Sequence, residues 1–164
     1  MKRLIAFAAT TSVVAVALRP HAPVEAQLDP SRHDAATVAF LRAHRAPSHT
    51  TWDSIYTDSQ AVRGDTLYKA TCMRCHGETL AGSDSAVSLA GNDFLVNWDG
   101  LTLDQLYDKM VTTMPSDSPQ TVPSSKIIDI LAYVLSKNAF PSGKIVLPDD
   151  VAVLRDIKFA KSKP

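Results

Sequence analysis

A mainly α fold is what this sequence predicts, and three observations predict it. Three separate stretches repeat apolar residues at the i, i+3, i+4, i+7 spacing of one helix face. No run alternates apolar and polar side chains convincingly enough to read as a sheet strand. The stretches are joined by long loops, which leaves a thin core for 164 residues. Loops of that length in a small domain point to function or to a bound group that completes the interior.

The chain opens on a segment that does not belong to the globular part. Lys2 and Arg3 form a positive start, Leu4 to Leu18 is an apolar run without a charge, and Val24-Glu25-Ala26 ends on a small residue. That order is the order of a secretory signal, with cleavage expected after Ala26. The apolar run is shorter than the ~20 residues that span a bilayer, so an uncleaved anchor is the weaker alternative. Export to the periplasm or beyond, and no stable membrane span after cleavage, are therefore expected.

With 45% apolar and 21% charged residues, the composition is that of an ordinary globular protein. Lys plus Arg and Asp plus Glu number 17 each, which excludes a strongly basic nucleic-acid binder. Loss of residues 1–26 would remove Lys2, Arg3, Arg19 and Glu25, leaving a net charge near −2. Residues 27–51 read as a polar extension or linker, with a short helix predicted from Ala35 to Arg42. The folded domain is expected over 52–164, including a C-terminal wrap.

The first long helix is predicted to begin near Ser59 or Gln60 and to carry Gly64, Leu67, Tyr68, Thr71 and Cys72 on one face. A glycine on that face lets another helix approach its backbone closely. The second opens at Thr102 with Gln105 three residues later, a capping box, and presents Leu103, Leu106, Tyr107, Met110 and Val111. The third follows Pro123, with Ser124 or Ser125 expected as cap, and buries Ile127, Ile130, Leu131, Val134 and Leu135. Lys137-Asn138 and Pro141 end it. Gly77 to Gly100, rich in Gly, Asp, Asn and Ser, is predicted to be loop, and a short final helix is predicted over 151–159.

The chemistry is carried by Cys72-Met73-Arg74-Cys75-His76. Two cysteines three apart at a helix end face the same side and can reach both vinyl groups of one porphyrin. The histidine that follows can place an imidazole nitrogen on the iron. This is the c-type haem attachment signature, which implies one haem c held by two thioethers. A disulfide between residues so close would staple little of the chain. A zinc site lacks a second suitably spaced pair of ligands. A thioredoxin-like dithiol expects a βαβ setting that is missing here.

The sixth iron position decides what the haem does. Met1 leaves with the signal, Met73 lies inside the attachment motif, and Met110 sits on the apolar stripe of the second helix. Met114 stands just after that helix and precedes Pro115, so a thioether rides on a stiffened loop. Met114 is the expected axial ligand, with Met110 or a distal histidine as alternatives. Iron held by His76 and Met114 is closed to oxygen and peroxide, which favours electron transfer over catalysis. Trp98 and Asn97 are expected in a loop facing the cofactor, where the Trp98 indole N–H could hold a haem propionate. Tyr68 and Tyr133 read as helix-contact residues, and His33, His44 and His49 as solvated. Lys69, Arg74 and Lys109 could rim a docking face.

With Gly64-x-x-x-Tyr68, the attachment motif, Met114-Pro115 and Asp129-Ile130-Leu131-Ala132-Tyr133 in view, the chain resembles a class I cytochrome c from about Trp52 to Leu135. The resemblance implies three to four helices wrapped around one covalent haem, with the Gly64 and Tyr133 helices crossing. A closer likeness is to bacterial single-haem domains found with periplasmic quinoprotein dehydrogenases. It is carried by Arg63-Gly64, Leu67-Tyr68, Cys72 to Gly77, Leu89-Ala90-Gly91, Phe94-Leu95, Trp98 to Thr102 and Thr113-Met114-Pro115. Asn138-Ala139-Phe140-Pro141 and the Leu-Pro tail add to it. This likeness implies a dehydrogenase as electron donor and a terminal oxidase or another cytochrome as acceptor. Pro119-Gln120-Thr121-Val122 departs from the family's Pro-Gly-Ser-Leu, so an altered loop is expected there. Two rivals to the carrier are a haem-based sensor with a displaceable sixth ligand and a weak peroxidase. Both need an open iron site.

Overall fold

The structure, a computed structural model, describes residues 47–164. The expected signal, the helix at 35–42 and His33 and His44 lie outside the described residues. In chain order the elements are β1 (His49–Thr50), α1 (Asp58–Thr71), α2 (Met73–His76), α3 (Asn92–Trp98), α4 (Leu103–Thr113), α5 (Ser124–Lys137), α6 (Val151–Arg155) and β2 (Ile157–Lys158). The three long helices are the three predicted from the apolar stripes, and the fold is mainly α.

Each long helix begins where its local chemistry allows. The Thr57 hydroxyl accepts the Gln60 amide at 3.2 Å and starts α1 one or two residues before the predicted point. At α4 the Thr102 amide donates to Gln105 Oε1 at 3.0 Å, completing the capping box read from the sequence. The expected serine cap on α5 is not formed. Pro123 holds the cap position, and the Ser124 hydroxyl donates instead to Asp149 Oδ2 at 2.6 Å. A proline fixes φ near the value a helix start needs, so α5 begins without a side-chain cap.

The centre of the fold is the crossing of α1 and α5. A Cβ built on Gly64 would lie 1.9 Å from the Asp129 carbonyl oxygen, so only glycine permits this approach. Beside the crossing, Arg63 grips the Asp129 carboxylate in a two-pronged pair at 2.8 and 2.9 Å. The rings of Tyr68 and Tyr133 meet at 5.2 Å, the helix contact expected of them. From Ile127 to Leu135 every position of α5 except Asp129 is buried, which makes it the central helix. Its burial exceeds the stripe predicted, because α4 packs against it as well as α1.

That wrap departs from the sequence reading in two ways. The last helix stops at Arg155, and Ile157–Lys158 turns into a strand parallel to His49–Thr50. A sheet, though only two residues long, is therefore present where none was expected. Residues 48–51, read as extension, are part of this folded unit: the His49 amide donates to Asp156 O and the Thr51 amide to Lys158 O, both at 3.0 Å. His49 itself remains largely exposed. The Trp52 indole donates to Ala160 O at 2.9 Å, and Trp52, Phe140, Phe159 and Phe94 form an edge-to-face aromatic chain. Buried Gln60 ties the tail to α1 through two 2.9 Å bonds with the backbone of Leu147.

Candidate functional site

Cys72 ends α1, and its amide still donates to Tyr68 O at 2.8 Å. The chain then makes the single turn α2, in which the amides of Cys75 and His76 return to Cys72 O at 3.1 and 3.0 Å. This turn is stopped by Gly77, whose φ of +77° suits a residue without a Cβ. The Tyr68 hydroxyl donates to Gly77 O at 2.6 Å, fixing the turn to the α1–α5 crossing. Burial is the main reason that the Tyr68 phenol is pushed up to about 12, so it stays a donor.

His76 is buried, and its Nδ1 lies 2.8 Å from the Val87 carbonyl. A carbonyl only accepts, so Nδ1 carries the proton and Nε2 is the nitrogen left to bind a metal. The 77–91 loop that supplies this carbonyl is itself pinned. Ser83 donates to Cys75 O at 2.8 Å, the Gly82 amide to His76 O at 3.0 Å, and the Leu89 amide to Leu80 O at 2.8 Å. Asn138, at the end of α5, clamps the far end of the loop: its Nδ2 donates to Leu89 O and its Oδ1 accepts the Gly91 amide.

These elements enclose a cavity of about 370 Å³, lined by Cys72, Cys75 and His76. Met110, Met114, Pro115 and Val122 line it as well, with apolar side chains from Phe94, Leu106, Ile127, Ile130 and Val134. Trp98 and Asn97 also line it, though not from a loop. Gly91, at a φ of +89°, opens the seven-residue helix α3 inside the stretch predicted to be irregular. No side chain caps that helix, so the usual start signal was missing. Met73 does not line the cavity, as expected. Arg74 and Lys109 do, whereas Lys69 pairs with Asp65 at 2.7 Å on the outer face of α1.

The donor set suits a haem. Burial first, and Cys75 second, push the Cys72 thiol up to about 11. A buried thiol of that kind is the opposite of the acidic cysteine on which a dithiol oxidoreductase depends. Among the described residues, no three His, Cys, Asp or Glu side chains gather as a metal site, so zinc lacks donors. Two thiols, one imidazole nitrogen and two methionine thioethers around an apolar slot are a donor set that fits a haem c.

Residues 59–134 match the family described as cytochrome C oxidase, cbb3-type, subunit III. This region is a c-type cytochrome domain. Haem-based electron transfer is the function that accompanies such a domain, and haem c its cofactor. The matched stretch of the cytochrome runs from the start of α1 to near the end of α5 and so takes in every cavity-lining residue named above. Among solved structures, this chain is similar to a chain of the sulfane dehydrogenase SoxCD from Paracoccus pantotrophus, at 22% identity and a TM-score of 0.40. That similarity covers 77% of this chain and 60% of the other. No curated protein matches the chain.

Two groups of site residues escaped the sequence reading. Val87 acts through its backbone carbonyl, which any residue could supply. Asn138 was read only as a helix end, and nothing local distinguishes an asparagine that ends a helix from one that also clamps a distant loop.

Proposed function

We propose that this chain is an exported one-electron carrier with a single haem c. In this reading Cys72 and Cys75 form the thioethers, His76 is the proximal ligand and Met114 the distal one. The observation that carries it is the presence of Cys72, Cys75, His76 and Met114 on the walls of one apolar cavity, with His76 Nδ1 already committed to Val87 O. Haem iron held by the His76 imidazole and the Met114 thioether would supply a one-electron couple at a raised potential.

The residues of the chain serve that couple in separable ways. Donation from His76 Nδ1 to a backbone carbonyl fixes the ring and raises its basicity at Nε2. Leu106, Ile127, Ile130 and Val134 keep water from the pocket. Met114 is the C-cap of α4, in extended conformation, and Pro115 follows it; both line the cavity. Met110, one turn earlier on α4, is the rival ligand. Trp98 contributes to the wall from α3.

In this reading residues 1–26 serve as the signal, the haem domain takes in residues 48–51 of the expected extension, and the carrier works in the periplasm or an equivalent exported compartment. Its partners are redox proteins, with a quinoprotein dehydrogenase as donor and a terminal oxidase or second cytochrome as acceptor. Such complexes need only small, transient interfaces. Among the described residues no helix is long and apolar enough to cross a membrane.

The test is the absorption spectrum of the matured protein and of Met114→Ala, oxidised and reduced. The expected wild type is low-spin, keeps its haem through acid-acetone extraction, shows the weak sulfur-to-iron band and ignores carbon monoxide. The variant should lose the band and bind carbon monoxide. Carbon monoxide binding by wild type would favour the sensor reading, and a band surviving in Met114→Ala would transfer the role to Met110.

A further inference from the structure

Val122 packs the segment from Met114 to Pro123 against the core, and the polar contacts of the segment are almost all local. The Met114 amide returns to Met110 O at 3.2 Å, the Ser118 amide to Pro115 O at 3.1 Å, and the Thr121 hydroxyl to Ser118 O at 2.8 Å. Among the described residues, one polar contact ties this segment to a distant part of the chain: the ion pair between Arg74 and Asp117. Arg74 lies inside the attachment motif, and Asp117 comes three residues after Met114. The pair therefore joins two chain segments that both line the cavity, one through Cys72, Arg74, Cys75 and His76 and the other through Met114, Pro115 and Ser116. Both side chains are more than half exposed, at 68% and 55%. The Arg74 guanidinium holds the Asp117 carboxyl below the usual range, as a formed pair requires.

We infer that Arg74 and Asp117 form an ionic latch that positions the Met114 segment over the haem pocket and makes closure of the sixth coordination site sensitive to ionic strength. The inference deepens the proposed His76/Met114 ligation and rests on it for its effect on the iron. Asp117 and Arg74 are positioning residues, since neither touches the iron. An exposed pair of opposite charges is weak and screened by salt. The latch therefore trims the population of the open site rather than locking it.

The test uses the haem-loaded full chain and imidazole, a small ligand that competes with Met114 for the iron. In wild type, raising salt from low to high should increase apparent imidazole affinity by about two- to fivefold, the range an exposed pair supports. Asp117→Asn should show the higher affinity at low salt and lose most of the salt dependence. Asp117→Glu should restore part of it, and the double charge exchange of Arg74→Asp with Asp117→Arg more. Amide exchange at Ser118, whose N–H bonds Pro115 O, should speed up in Asp117→Asn and not in Asp117→Glu.

A purely structural role for Asp117 would not give salt dependence or rescue by exchanged charges. The latch is overturned if imidazole affinity in Asp117→Asn matches wild type at every salt concentration and Ser118 exchange is unchanged. A wild type lacking the sulfur-to-iron band instead overturns the ligation, and Ser118 exchange then decides the latch alone. Faster exchange in Asp117→Asn supports it, and unchanged exchange overturns it.

Discussion

Replacing Gly64 by alanine should separate the two helices on which the pocket is built. The added Cβ would stand 1.9 Å from Asp129 O, 2.6 Å from its carbonyl carbon and 2.8 Å from Tyr133 Cβ. Two of these neighbours are backbone, so no rotamer change relieves the clash. To restore a contact of about 3.2 Å, α1 and α5 must part by roughly 1.3 Å, which forfeits half or more of the dispersion between facing atoms. Overpacking of this kind costs about 1–3 kcal/mol, and at a backbone-to-backbone crossing the upper end applies. Alanine returns about 1 kcal/mol in helix propensity. The net loss is about 2 kcal/mol out of the ~5–15 kcal/mol typical of a domain.

The assay is guanidinium unfolding of the haem-loaded protein followed by circular dichroism, with Gly91→Ala alongside. A Cβ on Gly91 meets nothing within 4 Å, so that variant carries only the strain of a φ of +89°. Gly64→Ala should unfold at clearly lower denaturant with an unchanged slope. A midpoint equal to or above wild type would refute the reasoning, since it would mean that the helices do not cross at this residue.

Gln60→Leu should cost about 2–4 kcal/mol, because it strands the buried N–H and C=O of Leu147; limited proteolysis should then cut the released tail near Ile145 and Val146, which are already exposed. Gln120→Gly should raise stability by about 0.5 kcal/mol in denaturant unfolding, as relief from the left-handed φ of +63° exceeds the added entropy of the unfolded chain. The glycine that the family pattern carries here is absent, and Gln120 stands in the left-handed region that glycine tolerates better. Mainly through burial, Tyr68, Tyr107 and Tyr133 are each pushed up to about 12 from an ordinary 10.0. The unfolded chain therefore loses these protons first, so stability should be full below pH 10 and fall as pH rises towards 12. Tyr68→Phe should remove about one proton, or ~1.4 kcal/mol per pH unit, from that slope in alkaline titrations of unfolding.

What the sequence determined by itself is whatever depends on neighbours within a turn or two. Cys72, Cys75 and His76 lie within five residues, so their spacing alone predicts a haem site. The apolar stripes of α1, α4 and α5, the Thr102–Gln105 cap and the glycine at the crossing are likewise local or periodic signals. Tertiary structure decided the rest. The α3 helix begins on a bare Gly91 and takes its support from Asn138, 47 residues away. The strand pair joins His49 to Ile157, a contact that two-residue strands leave no pattern to announce. Pro123 displaced the serine expected to cap α5, because Ser124 is held by a distant Asp149. Met110 and Met114 both reach the cavity since they lie four residues apart on one face of α4 and its cap. Contacts between residues far apart in sequence leave no local or periodic pattern, and that is why the Asn138 clamp, the C-terminal wrap and the Arg74–Asp117 pair were legible only in the folded chain.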